Sequence, residues 1–438
     1  MGTGCQGRPP SLRRRIARAR RYNKQDLIAD TGSLERSSHY SKPADDRYDV
    51  IYLDNNSTTR VAEEVVRAME PYWRDQYGNA SSVHHPGQAA RHAVETAREQ
   101  VARLIGARPR DVIFTSGGTE SDNLAILGAL AAQPTKRHIV TTAVEHAAVY
   151  DLCHRLEGAG YRVTYTPVDS AGHLDLDAFG AALDDETAIA SVMHANNETG
   201  VVFPIQEAAE ICAARRVLLH VDAVQSLGKM PVDVRASAAG LMSFSAHKIH
   251  GPKGVGALWV GRGARLRSVQ VGGPQERELR PGTENVAGIV GFGEAARLAE
   301  ERLRTGLAPV GALRDRLESG ILKRVPTAHV IGDRECRVVN TTNIAFEALE
   351  ADAILLALSE AGICASAGSA CSSGSLEPSH VLRAMGIDQR IAHGAIRFSL
   401  SAETTAEEID RAVEAIAPII ARLASLSDAT ASAKKGSG

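Results

Sequence analysis

The sequence has 438 residues, of which 44% are hydrophobic and 23% are charged, and its formal net charge is −2. This length predicts two or three domains with sizeable cores, and the near-neutral charge argues against a nucleic acid or a membrane as a direct partner. The six cysteines include no CxxC pair, and no run of 18 apolar residues occurs. We therefore expect a reducing compartment, and neither a disulfide framework, a metal site nor a transmembrane helix.

The beginning of the chain is basic. Eight arginine and lysine residues lie within residues 1–25, and no acidic residue precedes Asp26. We interpret residues 1–48 as a disordered basic extension of a cytoplasmic protein; an organelle transit peptide is the alternative. The last residues, Asp428–Gly438, are mostly small and polar, and we predict a flexible tail at 426–438.

The residues between these ends alternate between short apolar runs and helical patterns. Helices are predicted at Ala62–Tyr77, Ser121–Ala132, Ile205–Arg216, Gly291–Arg304, Leu313–Arg324 and Thr405–Leu423. Strands are predicted at Val112–Thr115, His138–Thr142, Ile189–Ala195, Leu218–Val224, Leu241–Ala246, Ala257–Val260 and Val338–Phe346. The alternation predicts an α/β fold with a mostly parallel sheet, in a large domain at 49–300 and a smaller C-terminal α+β domain at 301–425, to which the segment after residue 48 also contributes.

The first motif with chemical meaning is Phe114-Thr115-Ser116-Gly117-Gly118-Thr119-Glu120-Ser121, which follows a predicted strand and opens a helix. Glycines let backbone N–H groups approach an anion, and a helix N-terminus carries partial positive charge, so a phosphate fits here. A plain helix cap formed by Thr119 explains the same residues without a ligand.

Two further motifs lie at the ends of later strands. Asp222, in His220-Val221-Asp222, is placed where a carboxylate can pair with a protonated ring nitrogen, although this motif taken alone favours a cap of the next helix. Lys248, in Ser243-Phe244-Ser245-Ala246-His247-Lys248, follows an apolar strand and is suited to Schiff-base chemistry, with Lys253 as a rival; the alternative is that both lysines are ordinary loop charges. An anion-binding turn, a carboxylate and an amine in one α/β domain together indicate pyridoxal phosphate (PLP) as cofactor.

From Tyr52-Leu53-Asp54 to about residue 420, the sequence resembles the cysteine desulfurases of the NifS/IscS type, within the class V aminotransferase group of fold-type I PLP enzymes. The resemblance implies a large domain with a mainly parallel seven-stranded sheet. It makes Lys248 the Schiff-base lysine in place of Lys253, and it implies a homodimer in which Thr283 reaches the phosphate of the partner subunit.

The same resemblance implies roles for further residues. Gly118, Thr119, Ser245 and His247 hold the phosphate; Asp222 and Gln225 bind the ring nitrogen and the ring hydroxyl; His146 stacks on the ring; Asn197 lines the substrate pocket; and Arg397 clamps the substrate carboxylate. A surface-loop histidine is the alternative for His146, and an ordinary salt bridge is the alternative for Arg397.

Cys371 lies in a run of small residues, Ser366-Ala367-Gly368-Ser369-Ala370-Cys371-Ser372-Ser373-Gly374. Such a run predicts a mobile loop, in contrast to the core positions that we expect for Cys153, Cys212 and Cys364. In the family that the chain resembles, the cysteine of this loop is the nucleophile, which implies that Cys371 accepts the substrate's sulfur.

The implied reaction converts L-cysteine to L-alanine and passes a persulfide from Cys371 to an acceptor protein. Iron–sulfur cluster assembly, tRNA thiolation and DNA phosphorothioation all use enzymes of this kind, and the sequence does not distinguish these pathways. A class V aminotransferase or a selenocysteine lyase is the alternative activity, and a sulfur-relay partner with weak catalysis is a further one.

Overall fold

The computed structural model describes residues 50–367 and 378–435, which form twelve β-strands and thirteen α-helices. The strands are β1 (Ile51–Tyr52), β2 (Val112–Thr115), β3 (His138–Thr142), β4 (Arg162–Thr166), β5 (Thr187–Met193), β6 (Leu218–Asp222), β7 (Leu241–Ser245), β8 (Gly256–Val260), β9 (Ala328–Ile331), β10 (Thr341–Phe346), β11 (Ile363–Cys364) and β12 (Ala395–Ser399). The helices are α1 (Glu63–Met69), α2 (Pro71–Arg74), α3 (His85–Leu104), α4 (Gly118–Ala132), α5 (Ala147–Gly158), α6 (Leu176–Ala182), α7 (Ile205–Ala214), α8 (Val286–Thr305), α9 (Ala308–Arg324), α10 (Ala351–Glu360), α11 (His380–Ala384), α12 (Gln389–Ala392) and α13 (Ala406–Lys435).

A seven-stranded sheet with the order β2-β8-β7-β6-β5-β3-β4 organises the larger part of the fold. Strands β4, β3, β5, β6 and β7 run parallel to one another, and β8 is antiparallel to both β7 and β2. Every residue of β5 and of β7 is buried, as expected for parallel strands that are covered by helices on both faces. The predicted α/β class with a mainly parallel seven-stranded sheet is therefore confirmed.

Two smaller sheets complete the structure. Strands β9, β10 and β12 form an antiparallel sheet, and β1 pairs in parallel with β11. The hydrophobic cluster beside them joins residues from both ends of the described chain, including Leu53, Leu317, Ile396 and Ile409. The segment after residue 50 therefore packs against elements that follow it by about 260 residues or more, which brings Ser57 into contact with Arg397.

The structure corrects several predicted elements. The helix predicted at Ala62–Tyr77 is two helices, α1 and α2, because Pro71 lacks the N–H that a continuous helix requires. Helix α3, with 20 residues, and strand β4 were not predicted. Strand β4 lies at the edge of the sheet, and its partly exposed residues lack the apolar run that marked the other strands. Helix α13 also extends further than the predicted Thr405–Leu423.

Candidate active site

A cavity of about 380 Å³ opens at the carboxyl ends of strands β5, β6 and β7, the edge of an α/β sheet at which ligands bind. Residues from distant parts of the chain meet around it. They include Asn56, Ser57, Gly118, Thr119, Asp122, Glu145, His146, Tyr150, Asn197, Glu198, Asp222, Val224, Gln225, Ser245, His247, Lys248, His380 and Arg397. Arg397 and nine of the other predicted site residues therefore line the same cavity.

One end of the cavity is suited to an anion. Helix α4 begins at Gly118, and its cap residue, Gly117, makes no side-chain capping hydrogen bond. The capping role considered for Thr119 is therefore wrong, since Thr119 lies inside the first turn. A Cβ atom at Gly118 would lie 2.7 Å from Val224 Cγ2, so a larger residue would close the approach to this helix end. Ser245 lines the same end, and amide groups at a helix N-terminus attract phosphate.

His247 belongs to the same part of the cavity and is held by the segment after β1. Its Nδ1 lies 3.1 Å from Thr58 Oγ1, and burial beside Lys248 lowers its pKa to about 3. His247 is consequently a neutral hydrogen-bonding group near neutral pH, able to donate to or accept from a ligand but not to supply a positive charge.

Asp222 ends strand β6 with its side chain buried. Its Oδ1 accepts a hydrogen bond from Val224 N at 3.0 Å, in a turn and not at the start of a helix, so the helix-capping alternative is wrong. Burial raises the pKa of Asp222, whereas His146 and Lys248 act in the opposite direction. A carboxylate in this setting gains from pairing with a cation, such as a protonated ring nitrogen.

A network of neutral polar groups lies beneath Asp222. His220 is fully buried, and its two ring nitrogens contact Ser191 Oγ at 2.8 Å and Ser243 Oγ at 2.9 Å. Burial lowers the pKa of His220 to about 3, so the ring is uncharged. Burial also raises the pKa of the adjacent Asp122 well above its usual range. His220, two residues before Asp222, therefore carries no positive charge that would oppose a ligand cation paired with Asp222.

Lys248 lies just beyond strand β7 and points into the cavity. Its Nζ donates to the backbone carbonyl oxygens of Asn56, at 2.6 Å, and Ser57, at 2.7 Å. Lys253, five residues later, is exposed and does not line the cavity. Geometry thus favours Lys248 over Lys253 as the amine of the site.

His146 and the preceding Glu145 form another wall. His146 caps helix α5 by accepting from Ala148 N at 3.1 Å through Nδ1, and burial lowers its pKa. It is half-buried and lines the cavity, which contradicts the surface-loop alternative. Glu145 is fully buried, and burial raises its pKa to about 8. Its Oε1 accepts from Thr142 Oγ1 at 2.7 Å and from Met193 N at 2.9 Å.

Arg397 lies on strand β12 and closes the cavity opposite the seven-stranded sheet. Its guanidinium group donates to Asp54 Oδ1 at 2.8 Å, Ser57 Oγ at 2.7 Å and the carbonyl oxygen of Asn197 at 2.9 Å. Arg397 therefore forms a salt bridge, the alternative considered for it from the sequence, and also lines the cavity. The two roles are compatible. The side-chain oxygen Oδ1 of Asn197 is buried and has no hydrogen-bond partner among the described residues.

These features fit PLP. The cavity offers a helix N-terminus for a phosphate, a buried carboxylate for a ring nitrogen and an amine for an aldehyde. The unpartnered Asn197 Oδ1 is a polar atom that a bound ligand would satisfy.

Two predicted site residues are not among those lining the cavity. Thr283 is exposed, on the segment between β8 and α8. Cys371 falls outside the described residues. Four other cysteines lie in the described part of the chain: Cys153 and Cys212 are buried core residues as predicted, whereas Cys364, on β11, is only partly buried and Cys336 is exposed.

Sequence reasoning missed several residues of this site, above all Asn56, Ser57, Glu145, Glu198 and His380. Asn56 and Ser57 follow the Tyr52-Leu53-Asp54 run, and Glu145 precedes His146, so proximity to a motif was the available signal. Glu198 accepts from Ser379 Oγ at 2.7 Å, and burial raises its pKa to about 7. Nothing in the local pattern predicts this contact, since its two partners are 181 residues apart.

Known proteins resemble this chain in sequence. The family model "Aminotransferase class-V" matches residues 51–412. The chain belongs to the class-V aminotransferase family. A cysteine desulfurase of Nostoc sp. is 54% identical to it over 378 residues, which cover 86% of this chain and 94% of that protein. The predicted resemblance to the cysteine desulfurases is therefore confirmed, and the chain is a member of that group.

Solved structures of similar proteins have the same fold. A NifS-like protein superposes with a TM-score of 0.80 at 39% identity, covering 85% of this chain and 100% of that one. SspA, solved in complex with cysteine, superposes with a TM-score of 0.71 at 33% identity, covering 80% of this chain and 98% of that one. In the part of this family member that the structure describes, no helix is long and apolar enough to cross a membrane.

Proposed function

We propose that this class-V family member binds PLP in the cavity and uses it to convert L-cysteine to L-alanine, with Cys371 taking the sulfur as a persulfide. The observation that carries the proposal is the convergence of Lys248, Asp222 and the N-terminus of α4 on one space. A relative with 54% identity that is named cysteine desulfurase, and the SspA structure with cysteine, support the choice of substrate.

The cofactor would be held at three points. Gly118, Thr119, Ser245 and His247 would bind the phosphate, Asp222 would keep the ring nitrogen protonated, and Gln225 would donate to the ring hydroxyl group. His146 would stack on the ring, and Lys248 would hold the aldehyde carbon. Bound in this way, PLP supplies an electron sink that acidifies the Cα of the amino acid and weakens its Cβ–S bond.

The protein's own groups would perform the remaining steps. Arg397 would bind the substrate carboxylate, beside Asn197, and so place Cα near Lys248. The Lys248 amine would take the Cα proton and return a proton later as alanine forms. The Cys371 thiolate would attack the substrate sulfur, so that an S–S bond forms as the Cβ–S bond breaks and its electron pair stays on Cβ.

The persulfide on Cys371 would then pass to an acceptor protein in a reducing compartment, for which a cytoplasmic location is our proposal. We also propose a homodimer in which Thr283 contacts the phosphate in the partner subunit's cavity. The exposure of Thr283 and its position outside the cavity of its own subunit support this role. Sedimentation of the purified protein would test the dimer, and Thr283→Val should weaken cofactor retention if the contact is made.

The deciding experiment is an assay of the purified, PLP-loaded protein with L-cysteine and a dithiol reductant, which releases the persulfide as sulfide. Alanine and sulfide should form in equal amounts. Transfer of the amino group to a keto acid without sulfide would instead identify an aminotransferase. Turnover of selenocysteine but not of cysteine would identify a selenocysteine lyase.

A further inference from the structure

Lys229 is a buried lysine behind the cavity for which the proposed reaction has no role. It follows strand β6, lies outside the residues that line the cavity and is 8% exposed. Its Nζ donates to Gln225 Oε1 and, at 2.8 Å, to Asn56 Oδ1. Lysine is rarely buried to this extent unless its amine is hydrogen-bonded, so these two contacts are the reason that the position tolerates it.

Gln225, in contrast, lines the cavity, and both ends of its amide are specified. Its Oε1 accepts from Lys229, and its Nε2 donates to the carbonyl oxygen of Asn56 at 3.0 Å. A flipped amide would place its NH₂ group against the Lys229 amine and its oxygen against a carbonyl oxygen, which are two repulsive contacts. One hydrogen of Nε2 goes to Asn56, and the other can donate into the cavity.

The same carbonyl oxygen of Asn56 also accepts from Lys248 Nζ, at 2.6 Å. The Asn56 side chain is fixed in turn, since its Oδ1 accepts from Asn340 Nδ2 at 3.2 Å and its Nδ2 donates to Thr341 Oγ1 at 2.9 Å. Lys229 therefore links the amide that faces the cavity to a buried network in which every amide has a defined orientation. Burial lowers the pKa of Lys229, and the amine can donate to Gln225 whether or not it carries a charge.

We propose that Lys229 is a positioning residue that holds the Gln225 amide with its NH₂ group towards the cavity, where it donates to the ring oxygen of the cofactor. The inference deepens the proposed function and rests on it for the identity of the cofactor. This role has a consequence that absorbance can measure. With the cofactor bound, a proton would lie between its ring oxygen and the Lys248 nitrogen, and a hydrogen-bond donor to the ring oxygen would favour loss of that proton. Without the donor, the proton should be held to a higher pH.

The test is a pH titration of the visible absorbance of the PLP-loaded protein, which requires no turnover. Lys229→Met keeps the length and apolar stem of the side chain, and the midpoint should rise by roughly half to one pH unit, the worth of about one hydrogen bond. Lys136→Met is the matched control, because Lys136 donates to the Thr187 carbonyl oxygen at 3.0 Å away from the cavity. Its midpoint should equal that of the wild type.

A double-mutant cycle separates positioning from a direct effect of the Lys229 charge. Gln225→Leu should raise the midpoint as Lys229→Met does, and combining the two should add nothing further. An unchanged midpoint in Lys229→Met, or an equal additional shift in the Gln225→Leu background, would overturn the proposal. Besides Asp222, His146, His247 and Arg397, the titratable groups at the cavity include Asp122, Glu145, Glu198 and His380. All of them are identical in every variant and affect every titration alike.

If Lys229→Met does not fold, Lys229→Gln provides the second test, since its amide retains a donor for Gln225, and a smaller rise of the midpoint is expected. The role would be overturned if Lys229→Gln folds, if its crystal structure shows no hydrogen bond from residue 229 to Gln225, and if the titration midpoint still does not rise. A wild-type protein without a titrating visible band would instead defeat the cofactor assignment itself, so the two failures are distinguishable.

Discussion

The side-chain amine of Lys248 lies 2.6 Å from the backbone carbonyl oxygen of Asn56, a residue that precedes it by 192 positions. The amine is thus oriented by the segment after β1, which reaches the cavity only because that segment packs with the C-terminal elements. This contact places the amine at the cavity wall before any ligand enters, as a preorganised nucleophile requires.

Lys248→Ala should abolish covalent attachment of PLP, because no other amine occupies this position. Borohydride reduction followed by mass spectrometry of the peptides should find the cofactor mass on the Lys248 peptide of the wild type and on no peptide of the variant. Lys253→Ala is the control and should retain the label, since Lys253 is exposed. A label found on the Lys253 peptide in both the wild type and Lys248→Ala would reassign the attachment site to Lys253.

Cys371→Ser should keep the visible spectrum of bound PLP and lose sulfur transfer by about 100-fold or more, because a hydroxyl group is a far weaker nucleophile than a thiolate. The assay is sulfide and alanine release from L-cysteine. Cys336→Ser is the matched control, since Cys336 is a free, exposed thiol outside the predicted loop. Equal activity of the two variants would remove Cys371 from the mechanism.

The sequence predicted the elements and residues whose signal is local. Asp222 ends one buried strand and Lys248 follows another, so their positions at the sheet edge could be inferred without a structure. Asn56 and Glu198 could not be inferred in this way, because their contacts with Lys248 and Ser379 join residues that are 192 and 181 positions apart. Strand β4 was missed for a related reason: at the sheet edge it needs only one buried face.

Arg397→Lys should raise the KM for L-cysteine by roughly 10-fold to 100-fold with a smaller effect on kcat, because lysine lacks the planar fork that binds a carboxylate through two nitrogens. Steady-state kinetics with the PLP-loaded protein measure this. Arg337→Lys is the matched control: Arg337 is equally buried and pairs with Glu318 at 2.8 Å, but it does not line the cavity. A similar rise of KM in both variants would indicate a general loss of stability and not loss of substrate binding.

Glu145→Gln should change how the stability of the PLP-free protein depends on pH. Burial raises the pKa of Glu145 from 4.5 to about 8, so the folded state binds this proton more tightly than the unfolded state does. The stabilising contribution is complete below about pH 4.5 and is lost as the pH rises through about 8. The glutamine variant lacks this titration. As the pH rises from about 4.5 to about 8, the free energy of unfolding of the variant, measured by urea denaturation, should therefore fall less than that of the wild type. The difference should reach up to several kcal/mol, at ~1.4 kcal/mol per pH unit.

Glu157→Gln is the control for this comparison, because Glu157 is partly exposed and lies outside the cavity. Its stability should follow the wild-type pH dependence. Parallel curves for the wild type and Glu145→Gln would mean that Glu145 is ionised in the folded protein, with a cation or water compensating its charge. Such a result would place a second negative charge beside Asp222, whose own ionisation would then be opposed by the electrostatic interaction between the two carboxylates.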